Sequence, residues 1–300
     1  MSESKRYERL KSESIKNTIN LVNDKALEYV ESQINKYFFE GKDKNCFDWL
    51  INLSQLKSTY SCLATLSIIE KKRMDKLEIT YAYLKCYIEC NIKVPIFFSS
   101  VHKSYSYFEG RVNNDVCLCL VLALIFDDRP MLAEGLRLVE GLRNTDFSGQ
   151  FVADMPYLDF VSNLARLDLS KELVGSEYET SFNEVFNSWN DLGGLSPLIE
   201  TLLDYHLFVG QPGKNYRSEE HEKYYPSIGY ASPFDTYDLS VMPYEVIAIY
   251  KVRQRQGLPF PEIDHPLLSN ELLGLFKENL ASDYSDELLE KIYDFINSKK

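Results

Sequence analysis

Three hundred residues, 45% apolar and 26% charged, suffice for a sizeable core and match an ordinary soluble globular protein. The 21 Tyr and 17 Phe argue against long disordered tracts. The formal charge of −12 is localised: Asn144 to Glu245 holds 17 Asp/Glu against 5 Lys/Arg, while the rest of the chain holds 28 of each sign. That acidic third excludes a nucleic-acid backbone as its partner, whereas a basic protein would be drawn to it.

The opening "MSESKRYERLKSES" is polar and has no apolar stretch of the signal-peptide kind, so a cytoplasmic location is expected. Apolar residues then recur at helical spacing. Ile15, Ile19, Val22, Ala26, Tyr29 and Ile34 predict a first helix, and Leu50, Leu53, Leu56, Tyr60, Leu63 and Leu66 a stripe along Phe47 to Ile69. The run "VCLCLVLALIF", Val116 to Phe126, is far short of the roughly 20 residues that cross a bilayer and reads as a buried central helix. No membrane association is expected.

Asp127-Asp128 follows at once. The pair resembles the aspartates of isoprenoid synthases, but the third acid of that motif is replaced by Met131. A cap on the helix that Pro130 begins is the better reading. "RNTDFSGQF", Arg143 to Phe151, is a soft boundary that could divide a single 1–300 domain into helical halves, 1–143 and 152–300. Beyond it Leu158, Val161 and Leu164 mark a helix. Tyr178, Phe182, Val185 and Trp189 mark the core stripe of another, Glu177 to Asp191. Ser196-Pro197 predicts a helix start with Ser196 as N-cap. Val209 to Leu239 is a long non-helical stretch, and such stretches are often functional.

The stretch from Ala248 to Leu273, "AIYKVRQRQGLPFPEIDHPLLSNELL", begins as an amphipathic helix. Arg253 and Arg255 suit its C-terminal dipole, Gly257 supplies the stop, and Pro266 restarts a helix. Asp264-His265 then reads as a joint and not a catalytic dyad. Ser285 is the predicted cap of a last helix carrying Leu288, Ile292 and Phe295. The prediction is an all-α fold, an irregular, α-solenoid-like stack of helical hairpins with about a dozen helices. The helix-start prolines Pro95, Pro130, Pro156, Pro197, Pro243 and Pro266 follow no fixed period.

Chemistry-bearing patterns are few. The four histidines, His102, His206, His221 and His265, form no metal-ligand spacing. Nucleophile elbows and phosphate-cradling glycine loops are absent. The six cysteines, with no Cys-x-x-Cys, read as buried free thiols. No catalytic residue, metal or cofactor is implied, and a binding protein is expected instead of an enzyme.

Two stretches, "VCLCLVLALIFDDRPMLAEGL" and "PYEVIAIYKVRQRQGLPFPEIDHPLLSNEL", resemble the all-helical immunity proteins of bacterial polymorphic-toxin systems. In those families a central apolar helix ends in a charged turn and restarts, here over Leu122 to Leu132. A late helix then leads into a proline-bearing segment and an anchor, here over Pro243 to Leu268. The family's Trp/Phe-Glu at the start of the late helix is Pro243-Tyr244-Glu245 in this chain. The resemblance covers about a quarter of the sequence and implies a neutraliser of a cognate, cytoplasm-acting toxin. A helical adaptor with a non-toxin partner is the alternative.

Partner-binding candidates are the acids. A sevenfold spacing would put Glu177, Glu184 and Asp191 on one exposed helical line. Glu219, Glu220 and Glu222 lie in the long stretch, with Asp235 and Asp238 at its far end. Taken singly each is simply a solvated acid; as a cluster they form a surface for a basic protein.

Overall fold

The computed structural model describes residues 3–21, 24–34, 36, 46–93, 109–144, 156–175, 180–209, 241–280 and 283–298. All regular structure among them is helical: twelve helices and no strand, with one isolated bridge between His265 and Leu268. The all-α expectation holds. Among the described residues no helix is long and apolar enough to cross a membrane. The chain divides into two compact units, Met1–Ser14 with Leu120–Leu280, and Ile15–Cys119 with Ala281–Lys300.

The first helices are α1 (Glu3–Leu21) and α2 (Asp24–Ile34), two where the stripe from Ile15 to Ile34 predicted one. Ile34 is fully buried, whereas Tyr29 is 62% exposed. In the unit built from Ile15–Cys119 and Ala281–Lys300, α3 (Cys46–Lys71) packs against α2 and along α4 (Asp75–Lys93). Leu53, Leu56 and Tyr60 are buried as predicted, but Leu63 and Leu66 are only half-buried. Ala64, Thr65 and Ile68 occupy the core, so α3 is enclosed over most of its circumference.

The last helix, α12 (Glu287–Ser298), packs on α4. Its cap is Asp286 and not Ser285: Asp286 Oδ1 accepts from Leu289 N at 2.8 Å, and its other oxygen accepts from the Tyr83 and Tyr284 hydroxyls, each at 2.9 Å. Those phenols decide the contest between neighbouring caps. The buried stripe is accordingly Leu289, Ile292 and Ile296, with Leu288 and Phe295 at its margin. Lys57 and Asp115 form a buried ion pair in this unit.

The apolar run Val116 to Phe126 is buried throughout, within α5 (Glu109–Phe126). The other unit continues through α6 (Arg129–Asn144), α7 (Pro156–Asp168), α8 (Ser181–Asn187), α9 (Leu192–Val209), α10 (Tyr244–Arg255) and α11 (Asn270–Leu275). Helices α6, α7, α8 and α9 pack consecutively, and α10 packs on α7 and α9. Aromatic side chains fill the centre: Phe182 lies 5.2 Å from Phe160 and meets Tyr205 edge-on at 5.9 Å between ring centroids, a geometry aromatic pairs favour.

Helix ends in this unit follow from short-range chemistry. Asp127 takes a left-handed φ of 56°, and Asp128 N returns to Ala123 O at 2.9 Å, closing α5 in a Schellman turn. Asp128 then caps α6, its Oδ1 accepting from Met131 N at 3.0 Å, as the sequence indicated. Gly257 (φ 68°) ends α10 in the same manner, with Leu258 N bonded to Arg253 O.

Two predicted starts shift. Helix α9 begins at Leu192, with Asp191 as its cap through Gly193 N at 3.0 Å; Ser196-Pro197 lies inside it. A proline there forfeits only the bond to the Gly193 carbonyl, and Gly193 is exposed, so the loss falls in the first turn at the solvent-facing start of the helix. Pro266 sits in a turn, and α11 starts later behind Ser269, whose hydroxyl accepts from Leu272 N at 3.0 Å.

Candidate functional site

Helix α10 organises its unit through charged side chains turned inward. Lys251, 1% exposed, donates to Phe276 O, Glu278 O and Gln254 Oε1, holding the carbonyls past the end of α11. Burial and the neighbouring Arg255 push its pKa down from the usual lysine range, against a smaller opposing pull from Asp127. Arg253 lies 5.3 Å over the Trp189 ring and donates to Trp189 O, just past the end of α8, and to Pro259 O. Arg255 donates to Leu124 O, in the last turn of α5, at 2.8 Å, and to Asp168 Oδ1, the last residue of α7, also at 2.8 Å. Three cations from one helix thus serve the C-terminal ends of four others, where carbonyls lack intrahelical partners and the dipole favours positive charge. Sequence reading assigned Arg253 and Arg255 to α10's own dipole; their partners lie up to 131 residues away.

At the start of α10, Glu245 meets His206 of α9, Oε1 to Nδ1 at 3.0 Å, both side chains essentially inaccessible. The sequence gives no sign of this pair, which is 39 residues apart. His265 is a joint: its Nδ1 accepts from Leu267 N at 3.2 Å, placing the ring proton on Nε2, which faces Asp204 Oδ1 at 3.4 Å. Asp264 is exposed. Among the described residues no group of three or more His, Cys, Asp or Glu is arranged to hold a metal. Cys62, Cys86, Cys90, Cys117 and Cys119 are buried thiols outside any disulfide.

Of the predicted partner-binding acids, Glu177, Glu219, Glu220, Glu222, Asp235 and Asp238 lie outside the described residues. Glu184 is exposed on α8, and Asp191 is exposed beyond its end. They do not share a helical line, because α8 spans only Ser181–Asn187, opened by the Thr180 hydroxyl on Asn183 N and closed at Ser188. Asp191 is instead committed to capping α9. Two other acids of the negative third, Glu245 and Asp168, are buried in pairs, and the partly exposed Asp204 faces His265. Glu172, Glu184 and Glu200 remain exposed, and their carboxylates engage no partner among the described residues.

A recess that the sequence did not flag lies between α6 and α7. Its walls include Leu136, Val139 and Glu140 from α6, Ser162 and Arg166 from α7, and Val174 beyond it, around a cleft with about 10 Å³ open to a water-sized group. Ser162 is 4% exposed, yet its Oγ has no hydrogen-bond partner. Asn163 clamps the following segment at both edges, Nδ2 to Val174 O and Oδ1 to Val174 N, each at 2.9 Å. Leu173 and Val174, at the clamped segment, are 39% and 41% exposed. The one available signal was the polar pair Ser162-Asn163 inside the apolar stripe of α7. No family model, curated protein or solved structure matches this chain.

Proposed function

We propose that this chain is a binding protein, an immunity protein that holds a basic, cytoplasm-acting bacterial toxin against its acidic surface. The observation that carries the reading is the confinement of the entire net charge to Asn144–Glu245, with Glu172, Glu184 and Glu200 exposed and without a structural task. Such a surface steers a basic protein and suppresses acidic competitors. The resemblance adds weight because its two segments meet: Arg255 of the second bonds to the carbonyl of Leu124 in the first.

The test is capture with the tagged chain at low salt, followed by expression of each captured protein alone and together with this chain. The expected result is one basic protein that arrests growth alone and is harmless when co-expressed. Its association should slow steeply with ionic strength, and Glu184→Lys with Glu200→Lys should slow it further. A captured partner that is not toxic favours the adaptor. Association indifferent to salt and to both reversals would remove the charge argument.

A further inference from the structure

We infer that Leu173 and Val174 form the apolar anchor of the partner-binding surface, received by an apolar depression among the basic side chains of the partner. That partner is the basic protein of the reading above, on which this inference rests. Among the described residues four large apolar side chains are exposed: Tyr29, Leu173, Val174 and Leu192. All but Tyr29 lie between Asn144 and Glu245, the stretch that carries the net negative charge. Single exposed apolar residues are ordinary. Leu173 and Val174 differ in being adjacent, within a run, 171–175, of which every residue is exposed, and in being held in place.

The run is fastened to α7 at both ends. Ser170 takes a left-handed φ of 55°, and Lys171 N returns to Arg166 O at 2.8 Å, which closes the helix. Further along, the Asn163 side chain grips Val174 by its N–H and by its carbonyl, each at 2.9 Å. Asn163 is itself 5% exposed, so the grip is set in the body of the unit. Leu173 and Val174 therefore keep one position before a partner arrives, and little entropy is lost when they are covered. Charge selects the partner. Lys171 offsets the neighbouring Glu172, but the surrounding third still holds 17 acids against 5 bases. Charge of this kind sets the rate of encounter, whereas desolvated apolar anchors set the rate of escape.

The test uses the basic protein captured as above, purified, with surface plasmon resonance against the full chain. Leu173→Ser with Val174→Ser should speed dissociation roughly tenfold and leave the association rate and its salt dependence unchanged. Glu184→Lys with Glu200→Lys should do the reverse. Both serine substitutions fall on exposed side chains, so Tm should not drop. Hydrogen exchange on the free chain needs no partner. The Val174 amide, bonded to Asn163 Oδ1, should exchange slowly although its residue is exposed, and Asn163→Ala should bring it to the rate of an unprotected peptide. Unprotected exchange at Val174 in the native chain, or a dissociation rate indifferent to the double serine substitution, overturns the anchor. The two readings fail separately. A captured toxin whose dissociation ignores the serine substitutions removes the anchor and leaves the immunity function. A non-toxic basic partner that they release faster keeps the anchor and removes the toxin, and capture of nothing removes both.

Discussion

Replacing Arg255 with Met tests whether α10 holds its unit together by serving other helices. Asp168 keeps only 2% of its side chain exposed and Arg255 14%, at 2.8 Å from each other. Removing the arginine leaves a carboxylate buried at the last residue of α7, where the helix dipole also opposes it. Breaking such a pair costs about 3–5 kcal/mol. Leu124 O loses a charged donor as well, but Asp127, 3.6 Å away and 38% exposed, adds little. For a unit of this size about 4 kcal/mol corresponds to a Tm lower by roughly 8–16 °C. Adding Asp168→Leu removes the orphaned charge, so the double variant should recover about 2–3 kcal/mol, a coupling that independent sites do not show. Urea unfolding followed by fluorescence in a Trp49→Phe background isolates Trp189, which belongs to the same unit. A double variant no more stable than Arg255→Met would refute the reasoning.

Asp286→Ala removes the α12 cap together with the acceptor of two phenols and should cost about 2–3 kcal/mol; Asp286→Asn, which can still cap, should cost less, with hydrogen exchange accelerating first in α12. Burial raises the Glu31 pKa, with Asp286 and Glu28 adding to the shift against the hydrogen bond from Tyr60. A carboxyl with a raised folded-state pKa contributes stability below its unfolded pKa and loses it as pH rises through the folded value. Glu31→Gln should therefore raise Tm at pH 8 and leave it unchanged at pH 4, read by thermal melts across that range. Gly257→Ala, at φ 68° with open space around the added methyl, should cost about 1 kcal/mol from backbone conformation alone, and Gly257→Asn should cost less in the same denaturation assay.

What was legible in the sequence was what neighbouring residues decide. Asp128-Arg129-Pro130, Pro156 and Gly257 mark real helix boundaries because caps and left-handed stops act within a few residues. Ser196 and Ser285 misled because each stood near an aspartate that also could cap. Asp286 prevailed through Tyr83, 203 residues earlier, which no local pattern contains. The line through Glu184 and Asp191 required a helix to continue past Asn187, where it stops. Glu245 is buried by a partner on α9 that lies 39 residues earlier, beyond the reach of any local pattern, and nothing in the neighbours of Ser162 marks its buried, unpartnered hydroxyl.

The links from Arg255 back to Leu124 and from Asp286 back to Tyr83 bear on synthesis at the ribosome. One unit cannot close until residue 255 has emerged, and the other waits for its final helix after residue 286. Helix α4, made early, therefore spends most of translation without the helix that packs on it, α12. Such nascent chains are prone to aggregate, so this protein should depend on ribosome-associated holding factors, and truncations before α12 should accumulate as insoluble material even though the missing piece is short.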